Sequence, residues 1–147
     1  MKKSIYSKIL VCAENSPCAN KALLQACHIA KKSHSKLYLI YVVENPTSGL
    51  GLGIALIDRS EFVKMFREHG KKVLKTASKI ATKNGINSQE VMKEGNVANE
   101  IIKFAKKEKV DLIAIGSRGL SRLPRFVLGS TSNKIANYAP CPVLIVK

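Results

Sequence analysis

The amino-acid sequence predicts an α/β fold, a parallel sheet covered by helices, and two observations carry that prediction. Short apolar runs alternate with longer segments of helical period, and the runs are nearly continuous in Ile, Leu and Val, as in strands buried on both faces. A length of 147 residues with 46% hydrophobic content suits one compact domain, residues 1–147. Such a chain can bury roughly 68–70% of the surface its unfolded form exposes.

Strands are expected at Lys8 to Ala13 (KILVCA), Lys36 to Val43 (KLYLIYVV), around Ser88 to Lys93, Asp111 to Gly116 and Pro142 to Val146. A first helix runs from about Cys18 to Ser33, with Ala22, Ala26, Ile29 and Ala30 on one stripe and Ser16-Pro17 supplying a cap and a first-turn proline. A second spans roughly Ser60 to Asn84. It sets Phe66, Val73, Ala77 and Ile80 on one side and stops at Asn84-Gly85. A third, about Val97 to Lys107, buries Val97, Ile101 and Phe104 or Ala105, and a fourth starts near Ser130. Pro46 to Ile57 (PTSGLGLGIALI) has neither period and is expected to be a mobile connection. Its Gly49, Gly51 and Gly53 lack the GxGxxG spacing of a dinucleotide fingerprint.

Composition removes several function classes. The longest apolar runs are far too short to cross a bilayer, and charge interrupts the apolar stretch of MKKSIYSKILVCAE, so a soluble, cytoplasmic protein is expected. Cys12, Cys18, Cys27 and Cys141 form no CxxC pair, and His28, His34 and His69 add no ligand spacing. Structural thiols and no metal site are expected. The net charge of +15 invites a nucleic-acid reading, yet Lys71, Lys72, Lys75, Lys79 and Lys83 fall in one helical segment, where a solvated face accounts for them. Four Phe, four Tyr and no Trp leave little material for a base-stacking platform.

The segment GSRGLSRLPRFVLGST, Gly116 to Thr131, carries the strongest functional signal. Gly116 closes a buried strand and Gly129-Ser130 opens a helix. In a doubly wound sheet, ligands bind beyond the carboxyl ends of the strands, and a helix N-terminus offers unpaired N–H groups and a favourable dipole to an anion. Bare glycines allow close approach, so that successive amides can surround phosphate oxygens while Ser130 and Thr131 add hydroxyls. After Asp111 the chain holds Arg118, Arg122, Arg125, Lys134 and Lys147 and no Asp or Glu, which favours an anion. The bland alternative is that Gly116 and Gly119 make a tight turn and Ser130 caps a helix.

The pattern G-x2-G-x9-G-S/T after a strand, followed by PCPVLIVK, resembles the ATP-binding branch of the universal stress protein family, and the likeness covers nearly the whole chain. KILVCAENSPCANKALLQACHIA is similar to that family's first strand and helix, and LYLIYVVE to its second strand. The resemblance implies an open five-stranded parallel sheet of order 3-2-1-4-5 with helices on both faces, Rossmann-like and akin to the adenine nucleotide alpha hydrolases. It also implies an adenine nucleotide, ATP or AMP with or without Mg2+, across the ends of strands one and four. By that likeness Gly116, Gly119, Gly129, Ser130 and Thr131 hold the phosphates beside Arg118. The Val42 backbone meets adenine, and Ala13 with Glu14, at the end of strand one, meets ribose. The family usually has Asp followed by Gly or a small residue where this chain has Glu14-Asn15, one methylene longer. A solvated strand-end carboxylate is the alternative for Glu14.

No SGGxDS loop, HIGH or KMSKS signature or Walker motif occurs. A nucleotide-binding stress-response or signalling module is the first reading, with no catalytic residue assigned. A slow ATPase of the same fold is the second, and a nucleic-acid binder the third. The last strand, Pro142 to Val146, lies at the sheet edge in the family's order and is expected to pair with its copy in a homodimer.

Overall fold

A computed structural model describes residues 4–44, 59–119 and 127–147. The predicted connection at Pro46 to Ile57 and the arginines Arg122 and Arg125 lie outside those residues. Along the chain run β1 (Lys8–Cys12), α1 (Pro17–Ser33), β2 (Lys36–Glu44), α2 (Arg59–Lys83), β3 (Ser88–Gly95), α3 (Val97–Glu108), β4 (Leu112–Gly116), α4 (Ser130–Tyr138) and β5 (Val143–Val146). The five strands form one sheet in the order β3-β2-β1-β4-β5, as expected. Every pair is parallel, with Ile9 opposite Leu37 on one side and Leu112 on the other.

The period of two along each strand divides the core into halves. Ile9, Val11, Leu37, Leu39, Leu112 and Ala114 pack against Leu23, Ala26, Cys27 and Ala30 of α1 and Leu74, Ala77 and Ala81 of α2. Leu10, Tyr38, Ile40, Ile113 and Ile115 face α3 and α4, through Ala98, Ile101, Phe104, Ala105 and Ile135. Both sets of alternate residues are buried, so the strands read as unbroken apolar runs rather than alternating ones. Tyr38 and Phe104 meet edge to face with ring centroids 5.3 Å apart.

Local signals set the helix starts. The Ser16 hydroxyl accepts the Ala19 N–H at 3.2 Å, with Pro17 in the first turn, so α1 begins one residue before the expected Cys18. Asn96 caps α3 in the same way, through Asn99 N–H at 3.1 Å. The expected Ile101, Phe104 and Ala105 of α3 and Val73 and Ala77 of α2 are buried, and both faces are broader than expected. In α3, Ala98 and Ile102 are buried where Val97 is only partly so. In α2, Leu74 and Ala81 join Val73 and Ala77 in the core, Ile80 packs only at its margin, and Phe66 is 37% exposed.

At the end of the sheet remote from the strands' carboxyl ends, one carboxylate fastens the start of β1 to that of β4. Asp111 Oδ2 accepts from the backbone N–H groups of both Ser7 and Lys8 at 2.8 Å, while Asp111 N–H donates to the Lys8 carbonyl at 2.9 Å. Charge-assisted bonds of this kind are worth about 1.5–3 kcal/mol. Asp111→Ala is expected to destabilise the protein by about that amount and to lower the thermal midpoint by several degrees. An unchanged midpoint in thermal unfolding would show that the clamp contributes nothing.

Candidate functional site

The site is organised around a buried serine that the sequence reading passed over. Ser117, 3% exposed, follows β4 and donates its N–H to the Val146 carbonyl at 2.8 Å. Its own carbonyl accepts from Gly129 N–H at 2.9 Å and from Ser132 Oγ at 3.0 Å. These bonds fold the chain back so that the first turn of α4 stands beside the end of β4. Gly129 is the N-cap of α4, and no side chain caps the helix. The first-turn N–H groups of Ser130, Thr131 and Ser132 therefore point out of the helix end, where an α-helix leaves its orphan donors.

Those donors open on a cavity of about 590 Å³ at the carboxyl ends of β1, β2 and β4, within the size range of small-molecule sites. Ala13, Glu14, Val42, Gly116, Gly119, Gly129, Ser130 and Thr131 all line it. Arg118, also expected there, is not among the lining residues, and it is partly buried between Ser117 and Gly119. The opposite wall comes from residues that sequence reasoning did not select: Tyr41 and Glu44 from β2, Phe66 and His69 from α2, Val97 and Ile101 from α3. No motif flags them, because the topology alone brings those elements to one end of the sheet.

The glycines serve different ends. A Cβ at Gly116 would stand 2.8 Å from Ala19 N and 2.9 Å from the Cys18 carbonyl carbon and Cβ, so this position must be bare for the first turn of α1 to lie on β4. A Cβ at Gly119 would stand 2.8 Å from Glu14 Oε1, so the space beside that glycine is taken by a carboxylate of the protein itself. At Gly129 the nearest atoms to such a Cβ are at 3.5 Å, ordinary contact, and nothing in the fold forbids a small side chain.

Glu14 is held in place. Ser16 Oγ, besides capping α1, donates to Glu14 Oε2 at 3.1 Å. Its negative charge is felt across the cavity. Burial, and then the charge of Glu14, push the Cys12 thiol up to about 12, which keeps it protonated and unreactive at neutral pH. Burial followed by Glu14 and Glu44 raises the Tyr41 hydroxyl as well.

At the far end of the cavity β1 leaves the sheet before β2 does. The last rung is Ala13 N–H to the Ile40 carbonyl, 2.8 Å. Strand geometry turns the main-chain N–H and C=O of Val42 the same way as those of Ile40, past the point where β1 ends at Cys12. A donor and an acceptor side by side on one strand edge match the paired acceptor and donor on the edge of a purine.

A doubly wound parallel α/β sheet with its cavity at the carboxyl ends of the central strands, beside the N-terminus of a helix, has the architecture in which small ligands are bound at that end of the sheet. The model of the Universal stress protein family matches residues 5–147, and the chain belongs to that family. A universal stress protein of Methanocaldococcus jannaschii is 38% identical over 146 residues, covering 99% of this chain and 84% of that protein. Universal stress protein YxiE of Bacillus subtilis is 34% identical, covering 97% and 100%. The solved structure of universal stress protein UspA from Lactobacillus plantarum superposes with a TM-score of 0.83 at 25% identity, covering 97% of this chain and 98% of that one. Two universal stress proteins of the same fold, each with a TM-score of 0.74, have been solved in complex with dAMP (21% identical, from Archaeoglobus fulgidus) and with cAMP (23% identical).

Proposed function

We propose that the protein binds an adenine nucleotide, ATP or AMP, in this cavity and acts as a cytoplasmic nucleotide-dependent module of stress response or signalling. The phosphate lies on the N-terminus of α4, held by the amides of Ser130 and Thr131 and by their hydroxyls. Adenine meets the free edge of β2 at Val42, and ribose lies between them, over Ala13 and Glu14. The observation that carries the reading is the uncapped first turn of α4 opening into the same cavity as the unpaired edge of Val42. The dAMP and cAMP complexes of proteins with the same fold support the choice of adenine. Mg2+ would come with the phosphates of ATP, neutralising their charge. The first-turn donors of α4 beside the proposed phosphate are neutral groups suited to binding, and hydrolysis is expected to be at most slow.

Among the described residues no helix is long and apolar enough to cross a membrane. The outer edge of β5 carries only half-buried Val143, Leu144, Ile145 and Val146 at the end of the sheet. Pairing of two such edges about a two-fold axis makes the functional unit a homodimer.

Two measurements check this reading. Gly129→Asp places a good capping residue at the start of α4, so stability should hold or rise by a few tenths to about 1 kcal/mol. The same carboxylate meets the phosphate head on, so calorimetry should show AMP affinity falling by at least about tenfold. Binding equal to the parent's would remove the phosphate from α4. Light scattering at micromolar concentration should give twice the chain mass, and a monomer would refute the β5 pairing.

A further inference from the structure

Around the end of β2 the cavity is walled by aromatic rings from one helical layer and by aliphatic side chains from the other. Side chains alternate along β2, so Tyr41 packs with the layer of α1 and α2, and Val42 with the layer of α3 and α4. In the first layer α2 starts well before its core contacts, and its early turns are held over the end of the sheet. Gly70 is buried, and a Cβ there would stand 2.5 Å from Tyr41 Cδ1 and 3.0 Å from Met92 Cε, so the bare position lets the helix lie directly on the tyrosine ring. Arg67 pairs with Glu94 near the end of β3. The His69 ring meets that of Tyr41 edge to face, with centroids 6.1 Å apart. Phe66, three residues before His69 and four before Gly70, shares their helix face, and both Phe66 and His69 line the cavity. Phe66 is 37% exposed, and Phe62 braces it with ring centroids 4.6 Å apart. In the second layer the wall is Val97 and Ile101 of α3.

Resting on the nucleotide reading above, we propose that Phe66, with His69 beside it, stacks on one face of the ligand's base, and that this contact makes the site selective for a flat aromatic base. A base hydrogen-bonded to the main chain of Val42 takes up the line that β1 leaves at Cys12, and so lies near the plane of the sheet. Its edge meets β2. Its two faces then look toward the two helical layers, one toward Phe66 and His69 and the other toward Val97 and Ile101. Stacking on an aromatic side chain is strong and tolerant of base identity, because every base has a π-face. Val42 thus reads the edge of the base, while Phe66 grips its ring.

Calorimetry with AMP on the full chain tests this, on the parent protein and on Phe66→Ala and Phe66→Tyr. Phe66→Ala should weaken AMP at least about tenfold, whereas Phe66→Tyr, which keeps the ring, should stay within about twofold of the parent. Fluorescence of Phe66→Trp gives a direct probe, since the chain has no other tryptophan. Saturating AMP should quench the indole emission, and ribose 5-phosphate, which has no base, should leave it unchanged. If Phe66→Ala fails to fold by circular dichroism, the Phe66→Trp emission decides. AMP bound by a folded Phe66→Ala as tightly as by the parent, or an indole emission that AMP does not move, overturns the stacking contact while leaving nucleotide binding intact. Binding of no AMP by the parent overturns the nucleotide reading itself, and the stacking with it.

Discussion

The geometry of the site depends on the backbone of Ser117. Its N–H is tied to Val146 and its carbonyl to Gly129 and Ser132, so one buried residue joins the end of β4, the end of β5 and the start of α4. Each bond is worth only about 0.5–1.5 kcal/mol net, but Ser117 and the Ser132 bond to it are buried, and leaving a buried group unpaired costs more than pairing it gains. On the other side of the same strand end, α1 lies so close to Gly116 that a single methyl group would collide with its backbone. With α1 pressed against β4 and α4 turned back onto it, the cavity between them has a fixed floor and one row of outward-pointing amides.

Electrostatics within this frame runs against the character of the whole molecule. Lysines such as Lys71, Lys72, Lys75 and Lys79 stand exposed along α2, where their charge is solvated, while the described residues that line the cavity include hydroxyls and the carboxylates Glu14 and Glu44 and no lysine or arginine. In the proposed binding mode the helix dipole and the first-turn donors of α4 receive the phosphate. The thiol of Cys12, held protonated in the same wall, adds no reactive group.

Much of this was legible in the sequence, for physical reasons. Burial on both faces wrote the strands as unbroken apolar runs, and Ser16-Pro17 marked the start of α1 to within a residue. The glycine segment announced the ligand edge, since Gly116, Gly119 and Gly129 all reach the cavity. What sequence could not give was which neighbour each glycine needs. Gly116 must be bare for α1, and the space beside Gly119 is taken by the Glu14 carboxylate. Phe66 was assigned to the buried stripe because its spacing fits. However, α2, with 25 residues, overhangs the sheet, and its core contacts begin only after Gly70. At about 1.5 Å per residue such a helix is longer than the roughly 30 Å of the nine-residue β2. Its first turns therefore form the cavity wall instead of the core. Of the basic residues after Asp111, Arg118 and Lys134 are not among the lining residues, while Arg122 and Arg125 lie outside the described residues.

In the proposed function a nucleotide spans the cavity from the edge of β2 to the start of α4. Amide chemical shifts recorded while AMP is titrated into isotope-labelled protein test it most directly. The largest shifts are expected on Ser130 and Thr131 at one end and Val42 at the other, saturating together with a single dissociation constant. Shifts confined to the lysine-bearing faces of α2 and α3, with Val42 and Thr131 unmoved, would contradict it.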